Sequence, residues 1–157
     1  MRGSTPLPLE AVARVLSSSR TVFITVHQRP DGDALGSQLA LSLALRQLKV
    51  RTFLANDDPV PPRYTFLPQS HAIRVGVRGL FPSHFDAAVV LECADLERAG
   101  RTASLVKRAK VVINIDHHIG NTMYGTYNLV DTRIPATVIL VEGLRETMGA
   151  SLTRDIA

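Results

Sequence analysis

The chain has 157 residues, 45% of them hydrophobic, which suits one domain with a real core and is too short for two comfortable ones. A net charge of +4 favours anionic partners such as phosphates, but no basic block is present to hold long DNA stably. The lack of tryptophan and an aromatic fraction of 5% argue against stacking platforms for long single strands, and no apolar run reaches the roughly 18–20 residues needed to span a bilayer.

The opening MRGSTPLPLE lacks the apolar core of a signal peptide, so a cytoplasmic location is expected. Residues 7–18, LPLEAVARVLSS, predict a helix with Leu9, Val12 and Val15 on one side. The run TVFITV follows, short and β-branched, as in a strand covered on both faces, and it stops at His27. From Ala34 to Lys49 polar residues recur every three or four positions (Gln38, Ser42, Arg46, Lys49) and leave a leucine face to pack inward. Asp33 is the N-cap this pattern predicts.

VRTFLA reads as a second strand, and NDDPVPPRYTFLPQ as a proline-rich connection that need not be regular. FDAAVVLE is a third buried strand, ending at Glu92, with Cys93 beyond it as a small buried hydrophobe rather than a redox group. A helix over residues 101–110 is predicted to lead into KVVINIDHH, a fourth strand ending at Asp116, His117 and His118. YGTYNLV is a weaker strand, and a last helix is expected over residues 135–148, with Pro135 in its first turn and Gly149 just past its end. Strands alternating with helices predict an α/β fold, a doubly wound and mainly parallel sheet with helices on both faces. In such a sheet the ligand crevice lies at the carboxyl ends of the strands.

Three apolar strands stop at residues able to bind a metal: His27, Glu92, and the group Asp116, His117 and His118. Singly, each has an ordinary explanation. Pro-Asp-Gly is a common turn, Asp33 can cap a helix, and Glu92 can pair with Arg98. Brought to one sheet edge without a cation, however, the carboxylates would repel one another in a cleft. Asp31 and Asp33, separated by Gly32, can present both carboxylates to one place. Mixed oxygen and imidazole donors suit manganese, with magnesium or cobalt as substitutes, and their number suits two ions better than one.

The stretches HQRPDGDALGSQLAL, VVLECADLERAG, NIDHHIGN and YNLVDT, in this order over almost the whole chain, resemble the DHH phosphoesterases. The first motif, led by histidine, resembles that of oligoribonucleases that are also phosphatases of 3′-phosphoadenosine 5′-phosphate more closely than that of single-strand DNA exonucleases, which usually begins with aspartate. The resemblance implies a binuclear site that hydrolyses phosphate esters. His27 and Asp31 would hold one ion, Asp33 and His117 the other, and Glu92 would bridge. His118 would face the substrate phosphate as stabiliser or proton donor, and Asp116 would orient the imidazoles. Arg98 and Asn121 are candidate substrate contacts.

Three departures from the family pattern carry expectations of their own. Glu92 stands where the family has aspartate, so its carboxylate is displaced by one methylene. RIPATVILV follows VDT where small hydroxylated residues are usual, which puts a phosphate contact at that helix start in question. The sequence ends at SLTRDIA, before the family's further metal-binding aspartate and substrate-binding domain, so the expected unit is one DHH domain over residues 1–157 of a larger enzyme. Expected partners are short RNA oligonucleotides or phosphorylated nucleotides as substrate, and a second copy in a homodimer; no membrane is expected. Rival readings are a manganese pyrophosphatase, a cyclic-dinucleotide-linked phosphodiesterase, and a module that binds metal or nucleotide without turnover.

Overall fold

The computed structural model describes residues 8–157. Leu7, the first residue of the expected opening helix, and the start of MRGSTPLPLE lie outside them. The chain runs α1 (Leu9–Ser18), β1 (Thr21–Val26), α2 (Gly32–Gln47), β2 (Arg51–Asn56), β3 (Arg74–Val75), β4 (Phe85–Leu91), α3 (Ala103–Val106), β5 (Ala109–Asp116), β6 (Tyr127–Val130) and α4 (Val138–Thr147). The strands form one sheet in the order β3-β2-β1-β4-β5-β6, and every pair is parallel.

From the central pair β1 and β4 the chain winds outward in both directions. Crossovers of one hand that move in opposite directions must cover opposite faces of the sheet. Accordingly Leu35, Leu39 and Leu45 of α2 pack with Val12 and Leu16 of α1 and Leu140 and Leu144 of α4 on one face, over Val22, Ile24, Val89 and Ile113. The other face holds Phe23, Phe85, Ala88 and Val90 beneath Ala99, Leu105 and Val106. Phe23 and Phe85 stack there with ring centroids 5.3 Å apart. Each of these large side chains contributes roughly 1.5–3 kcal/mol by leaving water.

Local details differ from the sequence reading for identifiable reasons. Asp31, not Asp33, caps α2, because the helix begins at Gly32 and Ala34 N–H donates to Asp31 Oδ1 at 2.9 Å. Gln38 and Ser42 do not form a solvated stripe. Both are buried, Gln38 exchanging hydrogen bonds with Asn56 and Ser42 sharing one with Thr52 at 2.7 Å. The helix expected over residues 101–110 is a 3-10 segment, Leu96–Thr102, followed by the single turn of α3, since β5 already begins at Ala109. The proline-rich connection contains the 3-10 turns Pro62–Tyr64 and Ser70–Ala72, and β3 follows as an edge strand too short to give an alternating signal. Pro135 precedes α4 rather than starting it.

Candidate metal centre

Strand register sets the level of the site. Val26 pairs with Leu91, and Leu91 with Ile115, so the next residues, His27, Glu92 and Asp116, leave three neighbouring strands at one rim. The direction of winding reverses between β1 and β4, which makes this the switch-point crevice of a doubly wound sheet.

Glu92 is the centre of the arrangement. Leu91 packs towards α2 and α4, and an extended continuation would turn the following side chain to the opposite face. Glu92 instead has a left-handed φ of 61°, a conformation that costs a non-glycine residue about 1–2 kcal/mol. Its carboxylate meets the start of α4, where the Thr137 hydroxyl donates to Oε1. Only 2% of Glu92 is exposed. Burial, and then the negative charge of Asp33, push its pKa up from 4.5 to about 7, against the opposing hydrogen bond from Thr137 and the nearby His117.

The imidazoles are aimed by the backbone. His27 Nδ1 lies 2.6 Å from the Gln28 carbonyl oxygen, and His117 Nδ1 lies 3.2 Å from that of Ile134. An Nδ1–H donating to each carbonyl leaves Nε2 as the free lone pair, the usual preparation of a metal-binding histidine. These Nε2 atoms sit 3.8 Å from Asp31 Oδ2 and 3.4 Å from Glu92 Oε1, respectively. His27, Asp31 and Glu92 offer donor atoms within 4.8 Å of one another; Glu92, His117 and His118 do the same. Glu92 belongs to both groups.

Asp33 also has a structural role that the sequence reading did not give it. Its Oδ2 accepts from Thr137 N–H at 2.8 Å and its Oδ1 from Val138 N–H at 3.1 Å, so it satisfies the first amides of α4. Its Oδ2 is still within 3.9 Å of His117 Nε2. The helix start at which a phosphate contact was in question is thus filled by a carboxylate of the same chain.

Asp116 is fully buried and accepts from its surroundings. Its Oδ1 lies 2.6 Å from His118 Nδ1 and takes the His117 N–H at 2.8 Å, while its Oδ2 accepts from Asn121 Nδ2 at 2.7 Å. Asn121 is committed to this network, since its Oδ1 accepts from Asn114 Nδ2 at 2.7 Å and from Met123 N–H at 2.8 Å. Arg98 is exposed and enters no ion pair among the described residues; its carbonyl receives Gln28 N–H at 2.8 Å. Cys93 is buried and its thiol is pushed up to about 12 by that burial, in keeping with a packing role.

Within RIPATVILV the sequence reading gave Thr137 no role, and it missed the wall beside His27. There, Asp57 accepts from Gln28 Nε2 at 2.6 Å and from the Arg101 guanidinium. Gly100 has a φ of 61° against this pair, and a Cβ there would overlap the Asp57 carboxylate. No local pattern marks either contact, because each joins segments far apart in the chain.

The donors fit divalent ions. A buried carboxylate with a second one beside it gains most from a dication at the point they share, and the neighbouring imidazoles present lone pairs to that point.

Residues 21–157 match the N-terminal domain of the DHH family. The chain belongs to the DHH family. Over 164 aligned positions it is 34% identical to the bifunctional oligoribonuclease and PAP phosphatase NrnA of Thermus thermophilus, with 100% of this chain and 48% of that protein covered. The DHH chain described here therefore spans about half the length of this relative. An exopolyphosphatase-related protein of Bacteroides fragilis superposes with a TM-score of 0.79 at 21% identity, covering 90% of this chain and 43% of that one. The Mn2+ complex of RecJ, also from Thermus thermophilus, gives 0.51 at 17% identity, over 94% of this chain and 22% of that one. Both likenesses show a shared fold.

Proposed function

We propose that this DHH domain carries the site of a metal-dependent phosphoesterase that hydrolyses short oligoribonucleotides, 3′-phosphoadenosine 5′-phosphate, or both, with two divalent ions, manganese foremost and magnesium or cobalt as substitutes. The observation that carries the reading is Glu92, a buried carboxylate common to two donor groups at the switch point of the sheet. The substrate class draws on the likeness to the oligoribonuclease and PAP phosphatase.

His27 and Asp31 would hold one ion, His117 and Asp33 the other, and Glu92 would lie between them. When bound, such a pair supplies charge for the phosphoryl oxygens and lowers the pKa of the attacking water. The remaining work belongs to the chain. Asp116 holds His118 through Nδ1, which leaves Nε2 to face the substrate phosphate, donate a proton or stabilise developing charge. Asn121 fixes Asp116 in turn. Arg98, exposed at the rim, is free to meet a second phosphate.

Hydrolysis of a diribonucleotide, 3′-phosphoadenosine 5′-phosphate and pyrophosphate, each with manganese, tests this. Turnover of either nucleotide substrate, lost on chelation, is expected; a rate confined to pyrophosphate would overturn the substrate assignment. A second reading, metal binding without turnover, draws on Asp33, whose two oxygens already serve α4. Saturable manganese binding with no hydrolysis of any of the three substrates would favour it.

A further inference from the structure

Along the outer edge of β2, on the side away from β1, a cleft of about 490 Å³ is open to solvent. It extends from Arg51, at the start of β2, past Leu54 to Arg74, which is level with Ala55, and none of the residues proposed to hold metal lines it. Four cations line it: Arg46 and Lys49 from the end of α2 and the turn after it, Arg51 from β2, and Arg74 from β3. No aspartate or glutamate lines it, and none of the four cations forms an ion pair among the described residues.

Two of these charges have an ordinary explanation. Cations near the last turn of a helix offset its dipole, which accounts for Arg46 and Lys49. It does not account for Arg51 and Arg74, which come from the sheet. Both guanidinium groups are held over rings, Arg51 at 5.5 Å from the Phe53 centroid and Arg74 at 5.0 Å from that of Phe81. Arg74 is fixed further by donating from Nη1 to the Leu80 carbonyl at 3.0 Å. Two oriented forks with spare donors are thus prepared at the mouth of one cavity.

The sheet adds a backbone donor. Arg51 N–H donates to Arg20 O, towards β1, so by strand alternation Thr52 turns its own N–H to the outer edge. β3 pairs only with Ala55 and Asn56 and leaves that edge uncovered. Gln69 and Ala72 also line the cleft, whose volume suits a compact ligand.

We infer that this cleft is a second binding site, separate from the metal centre, for a small polyanion with two or more adjacent phosphoryl groups. Neighbouring phosphates match the spread of four cations, whereas a single carboxylate would engage only one fork. The site calls for no metal and no chemistry.

Calorimetric titration of the metal-free protein with inorganic tripolyphosphate, in the presence of chelator, tests the inference. The chelator keeps the metal centre from contributing. One-to-one saturable binding is expected, weakened roughly tenfold or more by Arg51→Glu and again by Arg74→Glu. Arg14→Glu, a charge change of equal size outside the cleft, should leave it nearly unchanged. Arg51→Gln and Arg74→Gln serve as milder variants, and circular dichroism checks that each folds. Absence of saturable binding, or equal weakening by Arg14→Glu, would overturn the proposal.

Discussion

The Thr137 hydroxyl donates to Glu92 Oε1 across 45 positions of sequence, joining the start of α4 to the residue that ends β4. The bond gives the displaced carboxylate of Glu92 a fixed place. Thr137→Val should leave a buried carboxylate oxygen without its partner and cost about 1–3 kcal/mol in denaturant unfolding. Manganese affinity should fall with it. Thr137→Ser keeps the hydroxyl and should restore most of both; a loss in Thr137→Ser with none in Thr137→Val would mean that the methyl group, not the bond, matters.

Glu92 gives a pH dependence with a definite sign. Its pKa is raised from 4.5 to about 7 in the fold, so between those values the native state holds a proton that the unfolded chain has released. Stability of the metal-free protein should be greatest below pH 4.5 as far as this group is concerned, and should decline, by an amount on the order of 1–3 kcal/mol, as pH rises to about 7. Glu92→Gln should flatten that slope in urea titrations at several pH values. An unchanged slope would show that Glu92 is ionised in the fold as readily as outside it.

Glu92→Asp is expected to preserve or improve hydrolysis with manganese, because aspartate has the length usual at the shared position. A clear loss of rate would mark the glutamate as an adaptation that depends on Thr137.

Asp31 and Asp33 each stabilise a different helix. Asp31→Ala removes the cap of α2 and Asp33→Ala the partner of the first amides of α4, and each should cost about 0.5–2 kcal/mol even with no metal in solution. Thermal melts of both variants with and without manganese separate the two contributions. If Asp33 also holds an ion, its variant will lose metal stabilisation in addition to helix stability.

Asn121→Ala should loosen Asp116 and with it the His118 ring. Hydrolysis is expected to fall roughly 10- to 100-fold, the range typical of lost support behind a functional imidazole. The pH profile of the rate should shift, since the carboxylate facing His118 Nδ1 would lose a hydrogen bond. A lower rate with an unmoved profile would indicate a purely structural role.

Much of the site was legible because strand ends can be read from apolar runs. TVFITV, FDAAVVL and KVVINI each stop at a donor residue, and a parallel sheet gathers such ends. Element types followed for the same reason, although β3 has only two residues and gives no period to detect. What stayed hidden was which side chain answers which across the fold. Asp33 lies at the expected start of a helix, yet it serves one that begins 105 positions later, at Val138. Gln38 and Ser42 look like a solvated stripe, and only the packing of α2 against β1 and β2 explains their burial. Glu92 gave no sign of its left-handed backbone, since glutamate has no preference for it.

The alignment of His27, Glu92 and Asp116 on three adjacent strands also acts as a ruler. Neighbouring strands stand about 4.8 Å apart, and that interval is a property of the backbone ladder rather than of any side chain. Substitutions at the rim can retune reach and charge, but the gauge between the anchoring points is inherited from the amide repeat, so it should survive exchange of nearly every residue around it.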